Sequence, residues 1–182
     1  MSMKTFEAAC KLAKEYGYSI FIGGGEPTIH SKFWAMLGMA MTYNIEDKVG
    51  IITNGSMTET SLRLAELARN GIIFCGLSQD EYHSRIDPAV IKAFDNGRSK
   101  CSYYTPTNDM REIRDVGENV KAMGRAKINQ LSDEAGCCCD DLFVTPKGKI
   151  YTCSCKKTSL GTVHEPSFDG YDTYDHDCRG AA

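Results

Sequence analysis

Helix-like and strand-like segments alternate through the first hundred residues of this 182-residue chain. Short apolar segments separate stretches in which apolar residues recur with a helical period. The predicted strands cover residues 18–22, 49–53 and 72–75, and the predicted helices begin near Met3, Phe33, Thr58 and Pro88. Strands that alternate with helices of this length form βα units, so the pattern predicts a parallel sheet.

The remainder of the chain carries weaker signals. Residues 109–123 are predicted to be helical, and residues 141–153 are predicted to form a β-hairpin. From residue 154 the chain has little periodicity and is predicted to be loop. The sequence therefore predicts an α/β protein with a partial parallel βα barrel over residues 1–130. A small, cysteine-rich, metal-binding hairpin and loop tail follow over residues 131–182.

The charge balance argues against nucleic acid and anionic membranes as partners. The chain has 21 basic and 24 acidic residues, which gives a net charge of −3 at pH 7. It has no apolar run approaching the ~20 residues of a membrane span, and its N-terminus lacks the apolar segment of a signal peptide. These observations predict a cytoplasmic protein that binds neither membrane nor nucleic acid.

Six of the nine cysteines fall in the final quarter of the chain. An odd number of cysteines without an export signal favours metal ligation or reduced thiols over disulfides. Cys153 and Cys155 form a C-x-C pair, which lies across the predicted hairpin from residues 137–139. Four thiolates from two such segments can hold zinc or an iron–sulfur cluster, and reduced structural thiols are the alternative. The candidate metal ligands are Cys137, Cys138, Cys139, Cys153, Cys155 and Cys178.

Polar or glycine-rich loops follow each of the three predicted strands. They comprise residues 23–26, 53–55 and 78–80, and the first contains three glycines followed by Glu26. The carboxyl ends of parallel strands meet at one edge of a sheet, where ligands bind. Glycines let a ligand touch the main chain, and a carboxylate suits an ammonium group. These loops contain no Lys or Arg, so they predict a site for a small zwitterion with a ribose rather than for a phosphate.

Several segments, taken in order, resemble the radical S-adenosylmethionine superfamily. They are GGGEPT at 23–28, TNG at 53–55, LSQDEYHS at 77–84, MGRA at 123–126, CCCDDLFVTPKGKIYTC at 137–153 and SLGTV at 159–163. The resemblance implies a barrel followed by a cysteine-rich hairpin of the SPASM or twitch type, with an auxiliary iron–sulfur cluster. It also implies that the amino, carboxylate and ribose groups of S-adenosylmethionine bind at Gly24, Gly25, Glu26, Asn54, Ser78 and Asp80.

One departure from that superfamily bears on function. The chain has no C-x-x-x-C-x-x-C motif, on which the radical chemistry of the family depends. Its first helix begins where the helix after the cluster loop is expected, so the barrel is predicted to be truncated. The favoured interpretation is a non-catalytic binding or regulatory protein with a metal-stabilised tail. Such a protein would bind S-adenosylmethionine weakly or not at all.

The alternative is a fragment or split subunit of an active radical S-adenosylmethionine enzyme with an auxiliary iron–sulfur cluster. On either interpretation, a missing first strand leaves apolar surface and unpaired backbone at one edge of the sheet. We therefore expect self-association or a protein partner to cover that edge.

Overall fold

The computed structural model describes residues 1–44, 47–79, 85–97, 108–114, 142–152, 156 and 158–167. The chain divides into two units, one made of residues 17–117 and the other of residues 1–16 and 118–182. The predicted domain boundary near residue 130 stays a prediction, because residues 115–141 lie outside the described ranges.

The unit of residues 17–117 contains a four-stranded parallel sheet. Its strands follow chain order and are β1 (Phe21–Ile22), β2 (Gly50–Thr53), β3 (Phe74–Ser78) and β4 (Arg111–Arg114). All three neighbouring pairs are parallel, with Ile51 opposite Cys75 and Leu77 opposite Ile113. The predicted α/β class and the parallel sheet are therefore confirmed.

Four α-helices lie in the described residues. They are α1 (Met3–Glu15), α2 (Phe33–Tyr43), α3 (Thr58–Arg69) and α4 (Pro88–Phe94), and the first belongs to the other unit. In α3 the buried residues Leu64, Ala65 and Ala68 recur with the helical period, while Glu59 and Arg63 are exposed. This single apolar face packs α3 against the sheet. No helix in the described ranges has the length and apolar character that a membrane-spanning segment requires.

The helix predicted over residues 109–123 is wrong for residues 111–114, which form β4. The open edge of β3 decides the conformation here, because its backbone groups need partners. Cys75 N–H donates to the Met110 carbonyl, and Gln79 N–H donates to the Arg114 carbonyl. These non-local hydrogen bonds outweigh a weak local helical pattern.

A buried arginine anchors β4 to the end of α4. Arg111, 6% exposed, donates from Nε and Nη2 to the two carboxylate oxygens of Asp109, at 2.8 and 2.5 Å. Its Nη1 donates to the Ala93 carbonyl at 2.5 Å, and Asn96 Nδ2 donates to the Arg111 carbonyl. The hydrogen bond to Asp109 raises the pKa of the guanidinium. Arg111 is therefore a structural cation that joins two elements distant in sequence.

The second unit places α1 against an antiparallel sheet. The strands of this sheet are β5 (Phe143–Val144), β6 (Lys149–Tyr151), β7 (Ser159–Thr162) and β8 (Glu165–Pro166). The predicted hairpin is confirmed by the antiparallel pairing of β5 with β6, in which Phe143 lies opposite Tyr151. The loop predicted from residue 154 is wrong for β7 and β8. β7 and β8 pair with each other as a second antiparallel hairpin. β7 also pairs with the edge of β6 that β5 leaves open, and this non-local pairing favours a strand over a loop.

A small core holds this unit together. Leu12 of α1 packs with Ile150 of β6 and with Val163, which follows β7. Ser2 caps α1, because its hydroxyl oxygen accepts from Thr5 N–H at 3.1 Å. The cap and the apolar face of α1 explain why the predicted first helix forms where the sequence places it.

Candidate functional site

The loops that follow β1, β2 and β3 lie at one edge of the parallel sheet. The glycines at 23–25 follow β1, Asn54 follows β2, and Ser78 is the last residue of β3. Since the strands are parallel, their carboxyl ends share this edge. Asp80, the remaining candidate binding residue, lies outside the described residues.

The glycine loop is open on its side-chain face. Gly24 and Gly25 have φ angles of +82° and +58°, in the left-handed region that favours glycine. A Cβ added at Gly23, Gly24 or Gly25 would meet no atom of the described part of the chain within 4 Å. Backbone conformation therefore explains the second and third glycines, and the free space leaves the main chain accessible to a ligand.

The Glu26 carboxylate joins the glycine loop to the end of β2. Its Oε1 accepts hydrogen bonds from Thr28 N–H at 3.0 Å, from the Thr28 hydroxyl at 2.6 Å and from the Thr53 hydroxyl at 2.9 Å. Its Oε2 accepts from Asn54 N–H at 2.5 Å. Glu26 also caps the short 3₁₀ helix Pro27–Ile29 through the bond from Thr28 N–H. Four donors from two segments therefore hold this carboxylate in place.

The two oxygens of Glu26 are not equally engaged. A carboxylate offers about four lone-pair sites, two on each oxygen. From the described residues, Oε1 accepts three hydrogen bonds and Oε2 accepts one, which leaves Oε2 with capacity for another donor. The negative charge also reaches Cys75, a fully buried thiol on β3. Burial raises the pKa of Cys75, and the charge of Glu26 raises it further.

Thr28 and Thr53 are site residues that the sequence analysis did not select. Both are buried, at 6% and 1% exposure, and both hydroxyls donate to Glu26. Thr28 lies two residues after Glu26, a spacing at which a local side-chain bond forms readily. Thr53 lies 27 residues away, and only the pairing of β1 with β2 brings it to Glu26.

A cavity of about 240 Å³ opens beside Asn54 at this edge. It is lined by Asn54, Gly55, Ser56, Thr58, Arg85, Ile86 and Asp87. Gly55 has a φ of +76°, and a Cβ there would lie 2.9 Å from the Cδ1 atoms of both Ile86 and Leu77. Arg85 carries no local sequence signal for this site, because Ile86 and its neighbours reach this edge through tertiary packing on Gly55.

All six candidate cysteines, at 137–139, 153, 155 and 178, lie outside the described residues. Within the described ranges, no group of three or more His, Cys, Asp or Glu side chains is arranged to hold a metal ion. Cys10 and Cys75 are described as free, buried thiols, and burial, aided by Glu7, raises the pKa of Cys10 to about 12.

The fold can be compared with those of known proteins. No model of a known protein family and no curated protein sequence matches the chain. Among solved structures, the chain is similar to the crystal structure of BtrN in complex with AdoMet and 2-DOIA. The identity is 18%, the TM-score is 0.61, and the match covers 90% of this chain and 66% of that chain. At this identity the likeness shows the fold alone, so the described part of this chain shares the α/β fold of part of BtrN.

Proposed function

We propose that the glycine loop binds the amino group of S-adenosylmethionine. The observation that carries this proposal is the carboxylate of Glu26, held by four hydrogen bonds beside an open main chain. Its Oε2 atom offers an acceptor for a ligand ammonium, and the exposed backbone at Gly24 and Gly25 offers further polar groups. Asn54 and Ser78 lie at the same edge and are the proposed contacts for the carboxylate and ribose of the ligand.

For this chain by itself, we propose ligand binding or regulation rather than radical chemistry. Its 182 residues include no C-x-x-x-C-x-x-C, so the chain does not supply the three clustered thiolates that such chemistry uses. The second candidate is that this chain is one part of an active enzyme, in which another segment or chain supplies the iron–sulfur cluster. The likeness to BtrN favours this candidate, since the match covers 66% of that longer chain.

Titration with S-adenosylmethionine tests the ligand proposal. We expect affinity nearer millimolar than micromolar, because a charged hydrogen bond nets about 1.5–3 kcal/mol and ordering a flexible ligand offsets much of that gain. Glu26→Ala should abolish the heat of binding, whereas Glu66→Ala, on the exposed surface of α3, should not change it. 5′-Methylthioadenosine, which lacks the amino acid group, is the matched ligand control and should bind no better than background.

The outcomes of this titration separate the candidates. Micromolar binding that Glu26→Ala abolishes would contradict the non-catalytic proposal and favour a working site completed from elsewhere. No heat at millimolar ligand would contradict the binding proposal, and the glycines would then serve the fold alone. An equal loss of binding heat in Glu26→Ala and Glu66→Ala would show that Glu26 has no specific role in binding the ligand.

We propose that the cysteine-rich tail holds zinc or an iron–sulfur cluster. The supporting observation is the register of the first hairpin, in which Phe143 of β5 lies opposite Tyr151 of β6. Residues that precede β5 and residues that follow β6 therefore leave the hairpin at the same end. Cys137–Cys139 and the pair Cys153 and Cys155 belong to these two segments, and soft thiolates suit either group.

Metal removal tests that proposal. A structural zinc ion contributes on the order of 10 kcal/mol of apparent binding free energy in small peptides. We therefore expect chelation to lower the melting temperature and to release stoichiometric metal, measured by elemental analysis after anaerobic purification. Absorbance near ~400 nm would identify an iron–sulfur cluster rather than zinc. A metal-free preparation whose melting temperature does not respond to chelator would contradict the proposal.

We also propose that a second protein surface covers the outer edge of β1. Among the described strands β1 pairs with β2 alone, and the side chain of Phe21 is 51% exposed. If the chain self-associates, its sedimentation coefficient should rise with protein concentration. Phe21→Glu should reduce that rise. The matched control is Leu62→Glu, at an exposed leucine of α3, and it should not affect association. A monomer at every concentration would contradict self-association and leave a different protein as the partner.

A further inference from the structure

The cavity beside Asn54 is lined mainly by hydrogen-bond donors. Arg85, Asn54, Ser56 and Thr58 belong to its wall, and the side chain of each carries a hydrogen-bond donor. The cavity volume of about 240 Å³ lies below the ~300 Å³ at which pockets for drug-sized ligands begin. The cavity therefore suits a small molecule or one group of a larger molecule.

The orientation of the Asn54 amide is set by a local hydrogen bond. Its Oδ1 accepts from Ser56 N–H at 2.9 Å, so Nδ2 is left as the donor end. The backbone N–H of the same residue donates to Glu26, which holds the residue against the glycine loop. Two independent bonds thus fix Asn54 at the cavity wall, and its Nδ2 is the donor end of the side chain.

Arg85 is exposed and forms no ion pair with any residue that the structure describes. Its position is nevertheless supported, because the neighbouring Ile86 lies against Gly55 at the end of β2. Asp87, the acidic residue of the cavity wall, caps α4, and its Oδ1 accepts from Ala89 N–H at 2.8 Å. Among the described residues, none therefore pairs with the positive charge of Arg85, while part of the Asp87 carboxylate is engaged.

We propose that this cavity binds a small anion through a carboxylate or phosphate group. Arg85 pairs with the anion, and Asn54 Nδ2 together with the hydroxyls of Ser56 and Thr58 donates to its oxygens. An arginine fork matches the two oxygens of either group. Ile86 gives the cavity one apolar wall for the carbon atoms of the ligand. Asn54 is also a proposed contact of S-adenosylmethionine, so the anion site is tested with small anions alone and without that ligand.

An NMR titration at constant ionic strength tests the proposal on the full chain. The probes are inorganic phosphate and acetate, added separately, and the signals followed are the Asn54 side-chain amide and the backbone amides of Ser56 and Thr58. We expect saturable shifts with at least one probe, and the better probe identifies the group that the cavity prefers. Arg85→Gln should weaken binding at least about tenfold, since it removes the charge-assisted hydrogen bonds. The matched control Arg69→Gln, in the exposed last turn of α3, should leave the affinity unchanged.

A second variant tests the sign of the charge in the cavity. Asp87→Asn keeps a good N-cap for α4 but removes the negative charge, so it should tighten binding of the anion several-fold. If the cavity instead binds a cation or an amino group, Asp87→Asn weakens binding and the proposal is overturned. The absence of saturable shifts with both probes overturns it as well, as does equal binding in Arg85→Gln and the unmodified chain. Since no S-adenosylmethionine is present, these outcomes are separate from those of the Glu26 titration.

Discussion

Asp109→Asn is expected to lower the free energy of unfolding by about 3 kcal/mol. The substitution leaves the guanidinium of Arg111, whose side chain is 8% exposed, without its compensating carboxylate. Removing one partner of a buried pair costs about 3–5 kcal/mol. We expect the lower end of that range because the Asp109 side chain is 23% exposed. Urea denaturation followed by circular dichroism measures the effect.

The control for this prediction is an ion pair on the surface. Glu59 and Arg63 pair at 2.6 Å on α3, with side chains that are 82% and 62% exposed. Glu59→Gln should therefore change stability by less than about 0.5 kcal/mol, as exposed helical pairs do. If Asp109→Asn costs no more than Glu59→Gln, Arg111 does not anchor β4 to α4 in the way that the structure indicates.

Glu26→Ala is expected to destabilise the unit of residues 17–117 by about 3 kcal/mol. It removes the acceptor for the hydroxyls of Thr28 and Thr53 and for two backbone N–H groups. A buried donor left without an acceptor costs about 1–3 kcal/mol, and water can satisfy only those near the surface. Thr53, at 1% exposure, is the least accessible to water. Thermal and urea denaturation measure the loss.

Glu26→Gln is the matched variant for this prediction. Its amide oxygen can keep the three donors at the Oε1 position, whereas its amide nitrogen then faces the N–H of Asn54. We therefore expect a smaller loss of stability than in Glu26→Ala, together with faster hydrogen exchange at Asn54. A Glu26→Ala protein as stable as the unmodified chain would contradict the structural role of this carboxylate. If that stable variant had also lost the heat of S-adenosylmethionine binding, Glu26 would serve the ligand alone.

Local sequence chemistry determined the helices and the parallel arrangement of the sheet. The predicted starts near Thr58 and Pro88 agree with those of α3 and α4, and Asp87 caps α4 through its side chain. Periodicity and capping involve residues within one turn of each other, so they can be read without the fold. The alternation of helices and strands also predicted that the glycine loop and Asn54 would share one edge.

The tertiary structure decided the elements whose stability comes from distant partners. β4 and β7 form because β3 and β6 present unpaired backbone groups, which weak local patterns could not indicate. The role of Glu26 was decided in the same way, since Thr53 reaches it across 27 residues of chain. Arg85 reaches the cavity because Ile86 packs on Gly55. Hydrogen bonds and packing between distant segments depend on which strands pair and in what register. That pairing is set only when the whole sheet buries its apolar faces.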